Sequence, residues 1–262
     1  MSTRLKRSER FERIVAELRA NPAVRIPALA EAFDVSTETV RRDLDELSRR
    51  GLVARTYGGA AVRPMAREPA VNERYRQRVE ERSRIGARAA AFVEPGDVLM
   101  IDSGSTTSHF ARCLAAAAES LTILTNSLNV AAALGQNPKL RVILCPGDYN
   151  PREAGVYGPE TLAFLRRHHA TKAFVGASGL TAEGPGDMDT AACGVKRAMI
   201  ERAERRLLLV DEGKFEVRSL QLVCPLAELD DVIADARPGP ELRKALAAAD
   251  VAVHLAGGRV SI

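Results

Sequence analysis

Phe11, Ile14, Val15 and Leu18 recur at the three- and four-residue spacing of one helical face, which predicts an amphipathic helix over residues 8–20 that stops near Asn21-Pro22. A shorter second helix follows, with Ile26, Leu29, Ala30 and Phe33 as its stripe and Pro27 tolerated in its first turn. In VSTETVRRDLDEL, residues 35–47, Ser36 is positioned to cap a third helix and Glu38 to complement its positive end, while Val40, Leu44 and Leu47 form the buried stripe. The segment LVARTYGGAAV, residues 52–62, alternates and then turns at Gly58-Gly59, predicting a two-stranded ribbon with Arg55 and Tyr57 near its tip.

The pattern then changes. Between residues 63 and 84 the chain carries Pro64, Pro69 and the charge-rich NERYRQRVEERSR, too polar for a core and read as a hinge followed by a helix. From residue 97 onward six apolar segments, VLMID, LTILT, RVILC, AFVGA, RLLLV and VIAD, alternate with helical stretches at 106–118, 127–135 and 191–204. Such alternation predicts an α/β domain with a mostly parallel sheet covered by helices on both faces. A length of 262 residues suits two domains. The expected organisation is a small helical head with a β-ribbon over 1–63, a linker over 64–84 and an α/β body over 85–262.

Charge separates the two parts. Residues 1–88 hold 20 Lys and Arg against 13 Asp and Glu, and the remainder holds 18 against 21, so the whole positive surplus is amino-terminal. A polyanion-binding head follows from that asymmetry, although a solvated charged helix has the same composition. The stripe of the third helix turns Thr37 and Arg41 outward, with Thr39 and Arg42 alongside. Three short helices, a sharp cap and exposed threonine and arginine near the third helix start fit a helix-turn-helix entering a DNA major groove, where an arginine fork suits guanine edges or phosphates. Ser36 belongs to the same contact surface, and Arg55 and Tyr57 would bring the ribbon to phosphate or minor groove. Only 11 aromatics and no Trp disfavour recognition of single strands by base stacking, leaving double-stranded DNA as the partner.

In an open parallel sheet, ligands sit outside the carboxyl ends of the strands. There VLMID opens into Asp102-Ser103-Gly104-Ser105-Thr106-Thr107, whose N–H groups, hydroxyls and following helix start can cradle a phosphate. Serines and threonines also simply cap helices, so this loop alone leaves both readings open. Other strand ends lead into Asn126, into Gly147 and into Asp211-Glu212-Gly213-Lys214, where Lys214 offers a cation. These residues together form the candidate effector site. Gly213-Lys214 is not a Walker motif, because Leu208 and Phe215 stand where Gly and Ser or Thr are needed. Lys196 can face the pocket or solvent, with solvent favoured.

Other chemistries find little support. His109, His168, His169 and His254 lack metal-ligand spacing, and Ser103 and Ser105 lie outside a G-x-S-x-G elbow. Cys113, Cys145, Cys193 and Cys224 are far apart with no C-x-x-C pair, which argues against disulfides and zinc and for reduced core thiols. Neither a catalytic residue, a metal nor a cofactor is expected. No apolar run approaches the roughly 18 residues of a membrane helix, and MSTRLKRSER is not a signal peptide, so the expected location is cytoplasmic.

VSTETVRRDLDELSRRGLVARTYGGA resembles the winged helix-turn-helix signature of the DeoR family of bacterial transcriptional regulators. DSGSTT, TNS, VKRAMI and DEGKF extend the resemblance over nearly the whole chain. It implies a repressor whose sensor domain resembles ribose-5-phosphate isomerase and related sugar-phosphate enzymes and binds a phosphorylated sugar or sugar derivative, with DSGSTT as the phosphate loop. Those enzymes carry an acidic D-G-A-D segment, and its counterpart here is Val175-Gly176-Ala177-Ser178. Without a carboxylate base the pocket would bind rather than turn over its ligand, although Asp187 or Asp189 could substitute. The alternative is a sugar-phosphate isomerase with an accessory basic domain. Because one winged head covers one half-site, operator binding implies a homo-oligomer, dimer or tetramer.

Overall fold

The computed structural model describes residues 10–11, 13–14, 17, 24–49, 53–56, 59–62 and 69–257. The chain divides into two compact units, Met1–Arg67 and Glu68–Ile262.

In the first unit Arg10, Phe11, Arg13, Ile14 and Glu17 are helical, followed by α1 (Ile26–Ala32), α2 (Thr37–Arg49) and the antiparallel ribbon β1 (Val53–Thr56) and β2 (Gly59–Val62). Phe11, Ile14, Leu29, Ala30, Phe33, Val40, Leu44 and Leu47 form one buried cluster, the stripes expected from spacing. Val15, Leu18 and Tyr57 lie outside the described residues. Ser36 Oγ accepts the Thr39 N–H at 3.1 Å, so the cap that starts α2 is the one its sequence suggested. Beneath α2, Arg10 Nε lies 2.5 Å from Asp43 Oδ2, a buried ion pair joining the first helix to the third.

In the second unit α3 (Val71–Tyr75) and α4 (Val79–Ala90) precede β3 (Val98–Ile101), α5 (Ser105–Ala117), β4 (Leu121–Thr125), α6 (Leu128–Leu134) and β5 (Leu140–Leu144). A hairpin of β6 (Asp148–Asn150) and β7 (Gly155–Tyr157) leads to α7 (Pro159–Arg166) and β8 (Ala170–Gly176). Then come β9 (Gly179–Thr181), β10 (Gly184–Asp187), α8 (Thr190–Glu201), β11 (Ala203–Val210), β12 (Gln221–Leu222), β13 (Asp231–Ala234), α9 (Pro240–Ala248) and β14 (Ala252–Leu255). Seven of the described strands make one parallel sheet in the order β14-β13-β11-β8-β3-β4-β5, and β9, β10 and β12 form a small antiparallel sheet.

Alternation along the strands builds two core layers. Leu99, Ile101, Leu207 and Leu209 pack with Ile85 of α4, Phe110 and Leu114 of α5 and Val130 of α6. Met100, Leu208 and Val210 turn to the other face, against Leu165 of α7, Met199 of α8 and Leu246 of α9. Helices on both faces explain why these strands read as continuous apolar runs. Gly86 is required where α4 meets α5, because a Cβ there would stand 2.9 Å from the Phe110 backbone. All four cysteines are free, and burial pushes the Cys145 and Cys224 thiols up to about 12.

Three expectations require correction. The sheet has a seventh strand, β14, whose AVHL segment is half exposed at an edge and lacks a strong apolar signature. The stretch 64–84 is not a linker throughout, because from Val71 onward it packs on the body. Val71 is buried and donates its N–H to Arg152 O at 2.8 Å, and Arg82 is buried against Asp211. Arg74, Arg78 and Arg82 have partners far away in sequence, so the polarity of these positions does not signal a solvated linker. Lys196 does not face solvent; only 4% of it is exposed.

Candidate functional site

On the head, Thr37, Arg41 and Arg42 are exposed, Ser36 caps beside them and Thr39 is half-buried. Glu38 sits between the two arginines, 3.8 Å from Arg41 Nη1 and 3.4 Å from Arg42 Nε. This face of α2 therefore carries two guanidinium forks tethered loosely by one exposed carboxylate. Arg55 lies on β1, paired with Ala60 across the ribbon.

The body's strand order reverses between β3 and β8, the topological switch point where a parallel sheet opens a crevice at its carboxyl ends. Asp102 follows β3 directly and is buried there. Its Oδ1 accepts the Gly176 N–H from the end of β8 at 3.2 Å, and its Oδ2 pairs with the Lys196 ammonium. Lys196 Nζ also lies 3.4 Å from Asp187 Oδ2. Burial alone would disfavour the ammonium, but the Asp102 and Asp187 carboxylates outweigh it and hold the Lys196 pKa above the ordinary lysine range.

The loop after Asp102 is fixed from below. Asn126 Oδ1 accepts the Ser103 N–H at 3.0 Å and its amide donates to Val156 O at 3.1 Å. Thr107, fully buried, donates to the carbonyls of Asp102 and Gly104 at 3.0 and 3.1 Å. Ser103 Oγ lies 2.5 Å from the Tyr157 hydroxyl, whose pKa burial pushes up to about 12. Gly104, the N-cap of α5, brings no side-chain acceptor to the first-turn N–H groups, so that helix start suits an anion.

Over this loop is a small cleft lined by Ser103, Gly104, Ser105 and Thr106, with Gly176 and Ala177 from the end of β8. Lys214 reaches the same cleft from the turn after β11, where Asp211 Oδ1 accepts the Gly213 N–H at 3.1 Å. The expected convergence of loop and lysine across the sheet is therefore present. Asp102, Thr107 and Asn126 stand beneath the loop as its supports. Gly147 is not among the cleft-lining residues; its φ of +145° and a neighbour 2.1 Å from any Cβ show that it is required by a tight turn over Thr161.

Lys196, for which solvent was favoured, and Asp187, weighed only as a substitute base, also line the cleft, and Arg74 and Glu153 escaped the sequence reading. Arg74, on α3, forms an ion pair with Glu153 in the turn between β6 and β7. Their pairing spans 79 positions, and no local pattern signals it. Val175 is buried in the core, and Ser178 donates its N–H to Gly186 O at 2.9 Å. Among the described residues no group of three or more His, Cys, Asp and Glu is arranged to hold a metal ion.

A helix-turn-helix head with a β-ribbon, on an α/β body with an anion-suited cleft at its switch point, defines a ligand-sensing DNA-binding regulator. Residues 10–64 match the DeoR-like helix-turn-helix domain and residues 77–236 the DeoR C terminal sensor domain, and the chain belongs to the DeoR family of transcriptional regulators. It is 32% identical over 235 residues to the glycerol-3-phosphate regulon repressor of Escherichia coli K12, covering 89% of this chain and 93% of that protein. The putative aga operon transcriptional repressor of Escherichia coli O157:H7 is 28% identical, over 95% and 94% of the two chains. The regulator IolR of Bacillus subtilis is 28% identical, over 94% and 98%. Among solved structures, ribose 5 phosphate isomerase A from Neisseria gonorrhoeae aligns at 17% identity over 53% of this chain and 55% of its own, with a TM-score of 0.39, a likeness too weak to carry an argument. Family membership decides between the two functions weighed from sequence: the chain is a transcriptional regulator, not an isomerase.

Proposed function

We propose that this protein is a cytoplasmic repressor that binds operator DNA as a homo-oligomer and is controlled by a phosphorylated sugar or sugar derivative. The observation that carries the effector reading is the convergence of Ser103–Thr106 with Lys214 and Lys196 at the switch point between β3 and β8. In this reading the loop N–H groups and hydroxyls hold phosphate oxygens, and Lys214 neutralises their charge. Lys196, already paired with Asp102 and Asp187, is held in place beneath them with its charge balanced by those carboxylates, which leaves Lys214 as the cation for the phosphate. The names of the relatives, which include a glycerol-3-phosphate regulon repressor, support the same ligand class.

On the head, the exposed face of α2 from Ser36 to Arg42 would enter the major groove, and Arg55 and Tyr57 would bring the ribbon to the backbone. Effector binding changes operator affinity only through its differential affinity for DNA-competent and DNA-incompetent arrangements, commonly about 1–3 kcal/mol of coupling. The test is to isolate the promoter fragments that the full chain retains and to titrate them with protein in the presence of glycerol 3-phosphate and a panel of aldose and ketose phosphates. One phosphorylated compound should shift operator binding while its unphosphorylated form does not. A protein whose operator binding none of them moves would contradict the effector reading.

A further inference from the structure

We propose that Arg74 is a direct effector contact that exchanges Glu153 for the ligand's phosphate, so that α3 is the element through which occupancy of the cleft is sensed. This rests on the effector reading above. Arg74 and Glu153 form their ion pair at the rim of the cleft formed by Ser103–Thr106, with side chains only 12% and 17% exposed. The Glu153 carboxylate thus stands where an anionic ligand's charge is wanted.

The two anions compete. A phosphate seated on the loop would lie in the same small cleft as Glu153, and like charges in a poorly solvated site repel strongly. The phosphate carries more charge and more acceptor oxygens than a carboxylate, and the planar guanidinium fork takes either one through paired N–H groups. Only the tip of Arg74 needs to change partner. Its main chain is held by Arg82, whose Nη1 donates to the Arg74 carbonyl.

The exchange also has a mechanical consequence. The contacts that tie α3 to the turn between β6 and β7 include the Arg74–Glu153 pair and the 2.8 Å bond from Val71 N to Arg152 O. That turn rests on the phosphate loop, because a Cβ on Gly155 would lie 3.0 Å from the Ser103 side chain. Ligand binding at the loop removes the first of these ties and so loosens the second. In the chain α3 begins four residues after the boundary between the units at Arg67 and Glu68, so it is the first element of the sensor unit to follow the head.

The experiment is calorimetric titration of the full chain and its Glu153→Gln and Arg74→Gln variants with the panel above, together with hydrogen exchange at the Val71 amide. Loss of a charge-assisted bond or of its competitor corresponds to about tenfold in affinity. Glu153→Gln should therefore bind the wild type's best probe about tenfold more tightly and Arg74→Gln about tenfold more weakly. In wild type the Val71 amide should exchange faster when ligand binds; in Glu153→Gln it should already be fast. A wild-type chain that binds no member of the panel overturns the effector reading and this exchange with it. Wild-type binding that both variants match, or that Glu153→Gln weakens, leaves the effector reading standing and overturns the exchange. Slower or unchanged Val71 exchange in liganded wild type overturns the sensing role without requiring any variant to fold.

Discussion

Arg82 of α4 places Nε and Nη2 at 3.1 and 3.0 Å from a single oxygen, Oδ2, of Asp211 at the end of β11. The other carboxylate oxygen of Asp211 caps the turn that carries Lys214. One buried aspartate thus fixes both the helix that follows α3 and the lysine of the cleft. Arg82 is further held by the carbonyl of Gln77 at 3.0 Å, so the guanidinium is paired and hydrogen-bonded as burial demands.

Removing Arg82 leaves the buried Asp211 carboxylate facing Arg78 Nε at 3.5 Å, a longer and more exposed pairing. Arg82→Met should destabilise the sensor unit by about 3 kcal/mol, the lower end for a broken buried pair because Arg78 still faces Asp211, and adding Asp211→Asn should recover part of the loss by removing the buried carboxylate. Denaturant unfolding of the three proteins provides the check. A single variant as stable as wild type would mean the pair contributes nothing to the fold.

DNA binding should depend on the face of α2 that carries Arg41 and Arg42. Replacing either by Ala should weaken operator binding by about 1–3 kcal/mol if it reads a base, or lower the salt slope by about one unit if it holds phosphate. Glu38→Gln should act in the opposite direction, tightening binding, because it removes the carboxylate shared by the two arginines and repelled by phosphates. Binding curves over a range of salt concentrations separate these cases, and two arginine variants with unchanged curves and intact folds would move the contact surface elsewhere.

Wing contacts are expected mainly to phosphate. Arg55→Ala should accordingly lower affinity for operator and unrelated DNA alike. Loss of discrimination at one base pair with general affinity preserved would assign Arg55 to base reading instead.

Stability should fall in mild acid through His109. Burial lowers its pKa below the ordinary 6.5, and its ring stacks on Tyr75 with centroids 4.3 Å apart. Nε2 lies 3.1 Å from the Tyr75 carbonyl, which can only accept, so the neutral ring carries its proton there and Nδ1 faces Ser83 Oγ. The folded state holds this imidazole neutral while the unfolded chain protonates it. Its contribution is therefore full above the unfolded pKa and declines as pH falls from about 6.5 toward the lowered folded value. Stability measured from pH 7.5 to 5 should drop less steeply in His109→Gln; parallel curves would show that another group titrates.

Where the structure follows local rules it was legible in the sequence. The stripes of α1 and α2, the Ser36 cap, the presence of a two-stranded ribbon and six of the seven parallel strands each follow from spacing within a dozen residues, although Gly59, expected in the ribbon's turn, opens β2 opposite Thr56. The Gly/Ser/Thr loop after β3 was legible for the same reason, since strand, turn and helix start are contiguous. What was hidden depends on partners distant in sequence. Lys196 reads as a surface lysine until Asp102, 94 positions away, supplies its counter-charge. The arginines of residues 72–84 read as a solvated linker until Asp211 and Glu153 pair with Arg82 and Arg74. Charged residues are buried only when paired, and pairing at such separations is set by topology.

The central claim is that a phosphorylated ligand held by the switch-point cleft sets operator affinity, and the most direct measurement is an operator titration of wild type and Lys214→Ala with and without that ligand. The two proteins should bind operator equally in its absence, since Lys214 belongs to the sensor unit. Loss of a charge-assisted contact to phosphate should then raise the ligand concentration needed by Lys214→Ala about tenfold or more, and the unphosphorylated sugar should move neither protein. A Lys214→Ala protein that answers the ligand at wild-type concentrations, or an equal response to the unphosphorylated sugar, would contradict the account.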